Sequence, residues 1–378
     1  MLNTREFCKG LTTLGFDLFC GVPCSFLASL MNVAINECNY ISATNEGDAI
    51  ATCAGAHLAG KKSVMLMQNS GLGNAVSPIT SLLNTFHLPV LIMVSLRGEP
   101  GIADEPQHAL MGQITPDLLQ LMGVQSAILG DNMATVSAQI QVANDCINGG
   151  KPYAFIVKKG TFDKVSLRQF QGPVTHPNPL VKGTAPIQPI GTRTQALQRI
   201  LACTSCAILS TTGKTGRECF ELNDSRNQFY QIGSMGCVSA VAFGVAYGAP
   251  KVPVIAIDGD GAALMRLGSL ATTGFYGPKN MCHIVLDNGV HDSTGGQKTA
   301  SEAVDFMALA LALNYPNVVA VASLDDLSDA LTNWLTQPEL SFIYVRIAPG
   351  SPATLGRPTV TPPQVATRFA AFVAGANA

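Results

Sequence analysis

The sequence predicts an α/β protein of two domains, each with a mainly parallel sheet flanked by helices. Short apolar runs alternate with amphipathic segments along all 378 residues, as expected for βαβ units. Apolar residues make up 47% of the chain and charged residues 13%, which suits strands that are buried on both faces. The segment 169–191 holds five prolines and few large apolar residues, which is typical of a linker.

The predicted elements follow this alternation in chain order. In the first half, strands are predicted at 16–20, 40–43, 63–67, 88–96, 126–129 and 153–157, and helices at 48–59, 75–85 and 116–122. In the second half, strands are predicted at 206–209, 228–232, 254–257, 282–286, 318–322 and 342–347, and helices at 193–202, 235–247, 262–275, 303–312, 324–335 and 364–374. We therefore expect domains at 1–168 and 192–378, with no central third domain.

Bulk properties argue against several classes of protein. The formal net charge is −2, so nothing indicates a nucleic-acid or acidic-membrane partner. The N-terminus lacks the apolar core of a signal peptide and no apolar run is long enough to cross a membrane, so we expect a cytoplasmic protein. The 11 cysteines have no regular spacing. Cys203 and Cys206 could form half of a zinc or redox site, but packing as reduced core thiols is the favoured interpretation.

Two polar segments follow consecutive predicted strands in the second half. Gly259-Asp260-Gly261 follows the strand at 254–257, and Asp287-Asn288 follows the strand at 282–286. Because ligands of open α/β sheets bind at the carboxyl ends of strands, both segments are expected at one site. Asp and Asn oxygens suit Mg²⁺, while glycines before a helix start suit a phosphate group. A Gly-Asp-Gly by itself would more often be only a strand-to-helix turn.

Gly-Asp-Gly, 25 intervening residues and Asp-Asn resemble the fingerprint of the thiamine diphosphate-dependent enzymes, although the family's first Asn is Asp287 here. By this resemblance, Asp260 and Asn288 bind Mg²⁺ through their side chains and Val290 binds it through its carbonyl. The resemblance also implies two thiamine diphosphate-binding-fold domains, a pyrimidine-binding domain followed by a diphosphate-binding domain.

Two further segments of the second half resemble cofactor-binding loops of the same family. Ser210-Thr211-Thr212-Gly213 is similar to a diphosphate clamp. In Gly233-Ser234-Met235-Gly236, the Gly233 carbonyl would accept from the 4′-amino group and Met235 would support the bent cofactor. The implied cofactor-binding residues are Thr211, Thr212, Gly213, Gly233, Met235, Gly259, Gly261 and Ala262.

In the first half, Asn45-Glu46-Gly47 leaves a predicted strand and enters a helix of small residues. This segment resembles the one that carries the catalytic glutamate of the family. Glu46 would then hydrogen-bond N1′ of the aminopyrimidine, so that the 4′-amino group can take a proton from the thiazolium ring. Taken alone, a Glu at a helix start would more often stabilise the helix dipole from the surface.

The proline-rich linker stands where larger relatives insert a central domain, which narrows the resemblance to the branch that decarboxylates phosphonopyruvate or sulfopyruvate. The segments 21–25, 68–74, 97–101, 104–108 and 291–297 resemble the phosphonopyruvate enzymes. The implied reaction converts 3-phosphonopyruvate to phosphonoacetaldehyde and CO₂ in phosphonate biosynthesis. Sulfopyruvate or another small 2-oxo acid is the alternative substrate. Donors for the anionic substrate would be Ser25, Asn69, Arg97, His108, His291, Thr294 and Lys298.

The family also implies a homodimer or larger oligomer with active sites at the subunit interface, because Glu46 of one chain would face Asp260 of another. Two rival interpretations come from other classes. A nucleotide-binding or structural α/β protein is disfavoured because the sequence has neither a Gly-x-Gly-x-x-Gly helix start in its first βα unit nor a Walker A sequence. A catalytically silent thiamine-binding subunit is disfavoured because Glu46 and the metal pair are all present.

Overall fold

The computed structural model describes residues 1–168 and 172–378, which form two compact units, Met1–Gln171 and Gly172–Ala378. Each unit contains a parallel sheet flanked by helices, so the predicted fold class is confirmed. The first three residues of the predicted linker, 169–171, lie outside the described residues. Within the described part of the chain, no helix is long and apolar enough to cross a membrane.

Unit 1 contains a six-stranded sheet with strand order β2-β1-β3-β4-β6-β5, in which every neighbouring pair is parallel. Its strands are β1 (Phe16–Gly21), β2 (Asn39–Ser42), β3 (Lys62–Gln68), β4 (Leu91–Ser95), β5 (Gln125–Ile128) and β6 (Tyr153–Val157). All residues of β4 and β6 are buried, because helices cover both faces of the sheet and leave little room for polar side chains.

Seven helices lie in the described part of unit 1. They are α1 (Thr4–Thr13), α2 (Ala28–Glu37), α3 (Glu46–Leu58), α4 (Leu72–Pro78), α5 (Asn84–Phe86), α6 (Ala109–Leu121) and α7 (Met133–Asn148). A π-helical turn, Ile79–Leu83, joins α4 to α5. Helix α3 is buried along almost its whole length, which explains why it consists mainly of Ala, Gly, Thr and Cys.

Unit 2 contains a seven-stranded parallel sheet with strand order β7-β14-β15-β11-β10-β8-β9. Its strands are β7 (Leu180–Lys182), β8 (Ala207–Ser210), β9 (Gln228–Tyr230), β10 (Val254–Gly259), β11 (Met281–Asp287), β14 (Asn317–Ala320) and β15 (Ser341–Arg346). A short antiparallel hairpin, β12 (Val290–His291) with β13 (Gln297–Lys298), follows β11.

The helices of unit 2 are α8 (Arg193–Leu201), α9 (Lys214–Leu222), α10 (Val238–Gly248), α11 (Asp260–Met265), α12 (Leu267–Tyr276), α13 (Phe306–Ala312), α14 (Leu324–Thr336) and α15 (Pro362–Asn377). Helix α9 was not predicted, because its buried face carries Thr215, Gly216 and Glu218 instead of large apolar residues. The helix predicted from residue 235 begins only at Val238, after two glycines with positive φ.

The structure also departs from the predicted linker. Leu180–Lys182 forms β7, an edge strand that pairs with β14. All three residues of β7 are exposed, and its hydrogen bonds run along one side only. An exposed strand of three residues gives no alternating apolar pattern, so the prolines around it dominated the prediction.

Candidate active site

At the carboxyl edge of the unit 2 sheet, β10 and β11 are neighbours, and Gly259 pairs with Leu286. Asp260 and Asn288 therefore follow adjacent strand ends, as the sequence predicts. A narrow cleft at this edge is lined by all three predicted metal ligands and by six of the eight predicted cofactor-binding residues. The cleft residues that were not predicted to bind metal, cofactor or substrate are Arg193, Lys214, Thr215, Leu286, Asp292 and Ser293.

Asp260 is a buried carboxylate at the start of α11. Its partners are hydroxyl and backbone donors: Thr299 Oγ1, Ser301 and the N–H of Gly261. Burial raises the pKa of Asp260 above its ordinary value, which these donors offset only in part. A buried carboxylate without a basic partner is unfavourable unless a cation joins it, so Asp260 fits the role of a metal ligand.

Asn288 follows β11 in a tight turn that includes Gly289 at φ 73°. Its Oδ1 accepts from the N–H of Val290 at 3.2 Å, and its Nδ2 donates to Asp292 at 2.7 Å. Among the described residues, no group of three or more His, Cys, Asp or Glu side chains could hold a metal. A cation at this edge would therefore depend on one carboxylate with amide and carbonyl oxygens, a ligand set that suits Mg²⁺.

Asp287 occupies the position at which the family fingerprint has Asn, and its contacts explain the acidic side chain. Its Oδ1 accepts from Ser301 at 3.1 Å and lies 2.9 Å from the Arg346 guanidinium. Its Oδ2 accepts from the Tyr344 hydroxyl at 2.6 Å. A buried carboxylate can accept from all of these donors at once, whereas an amide would turn a donor towards one of them. Asp287 therefore anchors the predicted metal-binding turn to β15 and to Ser301.

Replacing Asp287 with Asn is expected to lower the free energy of unfolding by about 2–4 kcal/mol, because Arg346 or Tyr344 would lose a buried acceptor. Urea denaturation followed by circular dichroism measures this change. Asp329→Asn is the matched control, since Asp329 is exposed on α14. Equal stability of the two variants would contradict the anchoring role.

A buried ion-pair network, which the sequence did not predict, fixes the hairpin that follows Asn288. Arg193, at the start of α8, contacts Glu218 of α9 at 2.8 Å and also pairs with Asp292. The Glu218 side chain is 1% exposed and also accepts from Thr194 at 2.8 Å. Because Asp292 in turn accepts from Asn288, this network sets the orientation of the predicted metal ligand.

On the other side of the cleft, β8 leads into the predicted diphosphate clamp. Thr211 Oγ1 is buried and has no hydrogen-bond partner among the described residues. Thr212 Oγ1 accepts from the N–H of Gly233 at 3.1 Å, which ties the two predicted cofactor loops together. Gly213 has φ 98°, a conformation that favours glycine, and immediately precedes α9. An unpartnered buried hydroxyl beside a helix N-terminus fits a site for an anion such as a diphosphate.

Lys214 is the first residue of α9 and lines the same cleft. In the described part of the chain, its side chain has no acidic partner. The sequence could have indicated Lys214 as a candidate phosphate ligand, because this lysine directly follows the predicted diphosphate clamp. Lys214 was not predicted because α9 was not predicted.

The second predicted cofactor loop lies between β9 and α10. Gly233 and Ser234 have φ 66° and 42°, and the Gln231 side chain donates to the carbonyls of both residues, at 3.2 Å and 2.6 Å. The Gly233 carbonyl, the predicted acceptor for the aminopyrimidine, thus already has one weak donor. Met235 is half-buried and lines the cleft, as expected for an apolar support. Ala262 is buried there as well.

The hairpin β12–β13 separates the predicted substrate residues of unit 2. The His291 ring packs on Gly261, where an added Cβ would lie 2.3 Å from Cε1 of the imidazole, so a larger residue at 261 would displace the ring. His291 therefore lines the cleft. Thr294 is exposed and donates to Gln297 at 2.8 Å, and Lys298 is 75% exposed and pairs with Glu302 at 3.1 Å. Neither of these two residues lines the cleft.

In unit 1, Glu46 is the first residue of α3, and Asn45 caps the helix by accepting from the N–H of Gly47 at 2.8 Å. Asn74 Nδ2 donates to Glu46 Oε2 at 2.8 Å. The carboxyl group lies directly on Gly71, where a Cβ would overlap it. The side chain is half-buried, and a glycine and an amide donor hold it at the carboxyl edge of the unit 1 sheet.

Arg97 and Ser25 are brought together at this same edge. Arg97 NH1 donates to Ser25 Oγ at 3.2 Å, and the guanidinium stacks 4.7 Å from the centroid of the Phe26 ring. Arg97 also forms a bidentate pair with Asp104, which holds the pKa of that carboxyl well below its ordinary value. Asp104 therefore already neutralises the positive charge of Arg97, although the guanidinium group also donates to Ser25.

Asn69 and His108, two of the predicted substrate donors, are buried. Asn69 Nδ2 donates to the carbonyl of Arg97 at 2.8 Å and to Thr115 at 3.1 Å, so its donors support the Arg97 loop. Asn69 Oδ1 and His108 Nδ1 have no hydrogen-bond partner within the described residues. Buried polar atoms without a partner can still form a hydrogen bond to a ligand or to water.

A larger hollow, of about 520 Å³, lies at the opposite edge of the unit 2 sheet, where β10 and β11 begin. It is lined mainly by prolines and aromatic side chains such as Tyr247, Tyr276 and Trp334, and no carboxylate lines it. The carboxyl edge is the better candidate because it combines buried acceptors, orphaned donors and a helix start.

Comparisons with known proteins agree with this choice of edge. The family described as "Thiamine pyrophosphate enzyme, C-terminal TPP binding domain" matches residues 212–345, which include Asp260 and Asn288. A phosphonopyruvate decarboxylase of Streptomyces hygroscopicus is 43% identical over 98% of this chain and 94% of its own length. The chain belongs to the phosphonopyruvate decarboxylase family. Members of this family are thiamine diphosphate-dependent decarboxylases, which are carbon–carbon lyases.

Two further similarities are more distant than the match to the phosphonopyruvate decarboxylase. A sulfopyruvate decarboxylase of Methanosarcina acetivorans is 30% identical over 94% of this chain and 93% of its own. The solved structure of a benzoylformate decarboxylase from Polynucleobacter necessarius matches with a TM-score of 0.70, covering 92% of this chain and 99% of that one. At 14% identity, this last similarity concerns the fold alone.

Proposed function

We propose that this protein decarboxylates 3-phosphonopyruvate to phosphonoacetaldehyde and CO₂ with thiamine diphosphate and Mg²⁺, in phosphonate biosynthesis. The 43% identity over nearly the whole of both chains carries this proposal. Residues 1–168 would be the pyrimidine-binding domain and 192–378 the diphosphate-binding domain, with 169–191 connecting them. The carboxylate of Asp260 is buried without a basic partner, and the buried hydroxyl of Thr211 has no hydrogen-bond partner among the described residues. Both observations support the binding of Mg²⁺ and a diphosphate at this edge.

When bound, thiamine diphosphate supplies the electron sink that stabilises the carbanion left by CO₂ loss. Asp260, Asn288 and the Val290 carbonyl would hold Mg²⁺. Thr211, Thr212 and Gly213 would bind the diphosphate, with Gly259, Gly261 and Ala262 giving it a close approach to the backbone. Gly233 would accept from the 4′-amino group, and Met235 would support the bent cofactor.

Glu46 would share a proton with N1′ of the aminopyrimidine. Asn74 donates to Oε2 only, which leaves Oε1 available for this proton. A fixed carboxylate is needed because general acid–base catalysis requires hydrogen-bond reach to the reacting atom. Gly71 and Asn74 therefore act as positioning residues for Glu46.

The phosphonate would be recognised at the loops that carry Ser25, Arg97 and His291, which combine a hydroxyl, a guanidinium and an imidazole. Asn69 would support the Arg97 loop, and His108 would offer a buried nitrogen nearby. Thr294 and Lys298, on the exposed part of the hairpin, would contribute only if the hairpin tip moves onto the substrate.

We further propose a homodimer or larger oligomer whose active sites combine Glu46 of one chain with Asp260 of another. Mixing the inactive variants Glu46→Gln and Asp260→Asn, followed by unfolding and refolding together, tests this arrangement. Half of the dimers would be mixed and each would hold one intact site, so activity should recover to about a quarter of wild type. Sites built within one chain would give no recovery.

Lys214→Met is expected to weaken binding of thiamine diphosphate by about 10–100-fold, because a charge-assisted hydrogen bond contributes about 1.5–3 kcal/mol. Calorimetric titration with thiamine diphosphate, thiamine monophosphate and thiamine measures this change without turnover. The loss should shrink as phosphates are removed. Arg217→Met, three residues further along α9, is the matched control. Equal losses for thiamine and thiamine diphosphate would refute a diphosphate contact.

The decisive experiment measures CO₂ release from phosphonopyruvate, sulfopyruvate and pyruvate, each with and without thiamine diphosphate and Mg²⁺. Fast, cofactor-dependent turnover of phosphonopyruvate is expected. Faster turnover of sulfopyruvate would support the proposed decarboxylation but contradict the proposed substrate. Sulfopyruvate is included because the relative from Methanosarcina acetivorans is a sulfopyruvate decarboxylase. Absence of turnover in protein that binds the cofactor would indicate a silent subunit.

A further inference from the structure

The turn between α8 and β8 carries two cysteines that the proposed reaction does not use. Cys203, Thr204, Ser205 and Cys206 form a hydrogen-bonded turn, in which the N–H of Cys206 donates to the Cys203 carbonyl at 3.1 Å. The ends of such a turn lie within about 7 Å between Cα atoms. A disulfide requires about 4.4–6.8 Å, so this turn can accept one with little backbone movement.

Access distinguishes this pair from the other cysteines. All 11 are free thiols, and only Cys38, Cys146 and Cys203 are not fully buried. Thr204 and Ser205 are exposed, so the turn faces solvent, while Cys206 lies beneath it at 0% exposure. The Cys203 and Cys206 thiols are hydrogen-bonded to each other. An oxidant can therefore reach Cys203, with a second thiol already in contact behind it.

Another pair provides an internal comparison. Cys20 and Cys53 also hydrogen-bond to each other, but both are fully buried. Burial raises the pKa of the Cys20 thiol, so it remains protonated and inaccessible. The hydrogen bond from Cys206 instead lowers the pKa of Cys203, whereas burial raises the pKa of Cys38 and of Cys146. The thiolate, which is the reactive form, is thus favoured at the one accessible cysteine that has a thiol partner.

We propose that Cys203 and Cys206 are a reversible oxidation site, at which a hydroperoxide converts the two thiols into an intramolecular disulfide. The Cys203 thiolate attacks the peroxide oxygen, which breaks the O–O bond, forms a sulfenic acid and releases an alkoxide or hydroxide. The Cys206 sulfur then displaces water from that sulfenic acid. Two electrons pass from the two sulfurs to the peroxide, and thiols such as glutathione would restore the reduced pair by exchange.

The test is differential alkylation of the intact protein followed by peptide mass spectrometry. In the reduced protein, iodoacetamide should label Cys203 about tenfold or more faster than Cys38 and Cys146. After hydrogen peroxide treatment, the peptide with both residues should lose two hydrogens, resist alkylation and regain two labels after reduction. Cys20 and Cys53 should remain reduced throughout. Preferential labelling of Cys38 or Cys146, or a stable sulfinic acid at Cys203 without the disulfide, would overturn the proposal.

The variant Cys206→Ser separates formation of the sulfenic acid from formation of the disulfide. In Cys206→Ser, the sulfenic acid at Cys203 has no partner, so dimedone should trap it after peroxide treatment. Wild-type protein should give little adduct, because the disulfide forms first. Equal adduct in both proteins would overturn the role of Cys206. If the variant does not fold, disulfide mapping in the wild-type protein still decides the proposal.

Discussion

Glu46→Gln is expected to abolish proton exchange at C2 of bound thiamine diphosphate and to lower kcat by about 10²–10⁴-fold. Glutamine preserves the shape of the side chain but cannot share a proton with N1′. Because Glu46 lies on Gly71 and accepts from Asn74, an amide can occupy the same place without disturbing α3. Acid-quenched NMR of the deuterated cofactor measures the exchange rate, and calorimetry shows whether the cofactor is still bound.

Two further variants help to interpret the result for Glu46→Gln. Glu37→Gln removes a carboxylate from exposed ion pairs of unit 1 and should leave exchange unchanged. Gly71→Ala keeps Glu46 but places a methyl group where its carboxyl lies, so exchange should fall although the acid is present. Normal exchange in Glu46→Gln would remove Glu46 from the mechanism, whereas loss only in Gly71→Ala would indicate a structural effect.

Asp260→Asn is expected to weaken Mg²⁺-dependent binding of thiamine diphosphate by about 100-fold or more. Changes beyond the ligands of a metal already cost about 10–100-fold in metal affinity, and this change removes the only predicted carboxylate ligand. The amide can still accept from Thr299, so the start of α11 should remain folded. Titration of the cofactor at several Mg²⁺ concentrations, together with circular dichroism, measures both effects.

The matched control for this variant is Asp305→Asn, since Asp305 likewise stands at the N-terminal end of a helix but lies on the surface. Removing Mg²⁺ with a chelator should reduce cofactor affinity in wild-type protein and in the control. It should have little further effect on Asp260→Asn. Unchanged affinity in that variant would place the metal elsewhere, and a chelator effect as large as in wild type would show that Asp260 is not a ligand.

Much of the unit 2 site could be predicted because parallel sheets impose strong rules. Once β10 and β11 are recognised as neighbouring parallel strands, the residues after Gly259 and Asp287 must meet at one edge. The cleft residues Asp260 and Asn288 were predicted on this basis together with the family fingerprint, and Met235 was predicted from the resemblance of its own loop. The strand at 254–257 was clear from its apolar run, which both faces of a parallel sheet require.

The residues that sequence reasoning missed depend on contacts between distant segments. Arg193 and Glu218 lie 25 positions apart on two helices, and the pairing of Arg193 with Asp292 orients the predicted metal-binding turn. Lys298 stands next to the predicted metal loop, yet the hairpin directs it towards Glu302 and solvent. No local pattern distinguishes a buried arginine from an exposed lysine in such loops, because burial depends on which elements pack above them.

By itself, the sequence predicted the fold class, the positions of most strands along the chain and candidate roles for Asp260, Asn288 and Glu46. The fold class and the strands follow from local periodicity, which neighbouring residues specify, whereas the candidate roles of these side chains follow from the family resemblance. The tertiary structure decided that Asn69 supports a loop, that Lys214 lines the cleft and that Cys203 and Cys206 share one exposed turn. Those outcomes depend on burial and on hydrogen-bond partners far along the chain, and both are set only when the helices pack on the sheets.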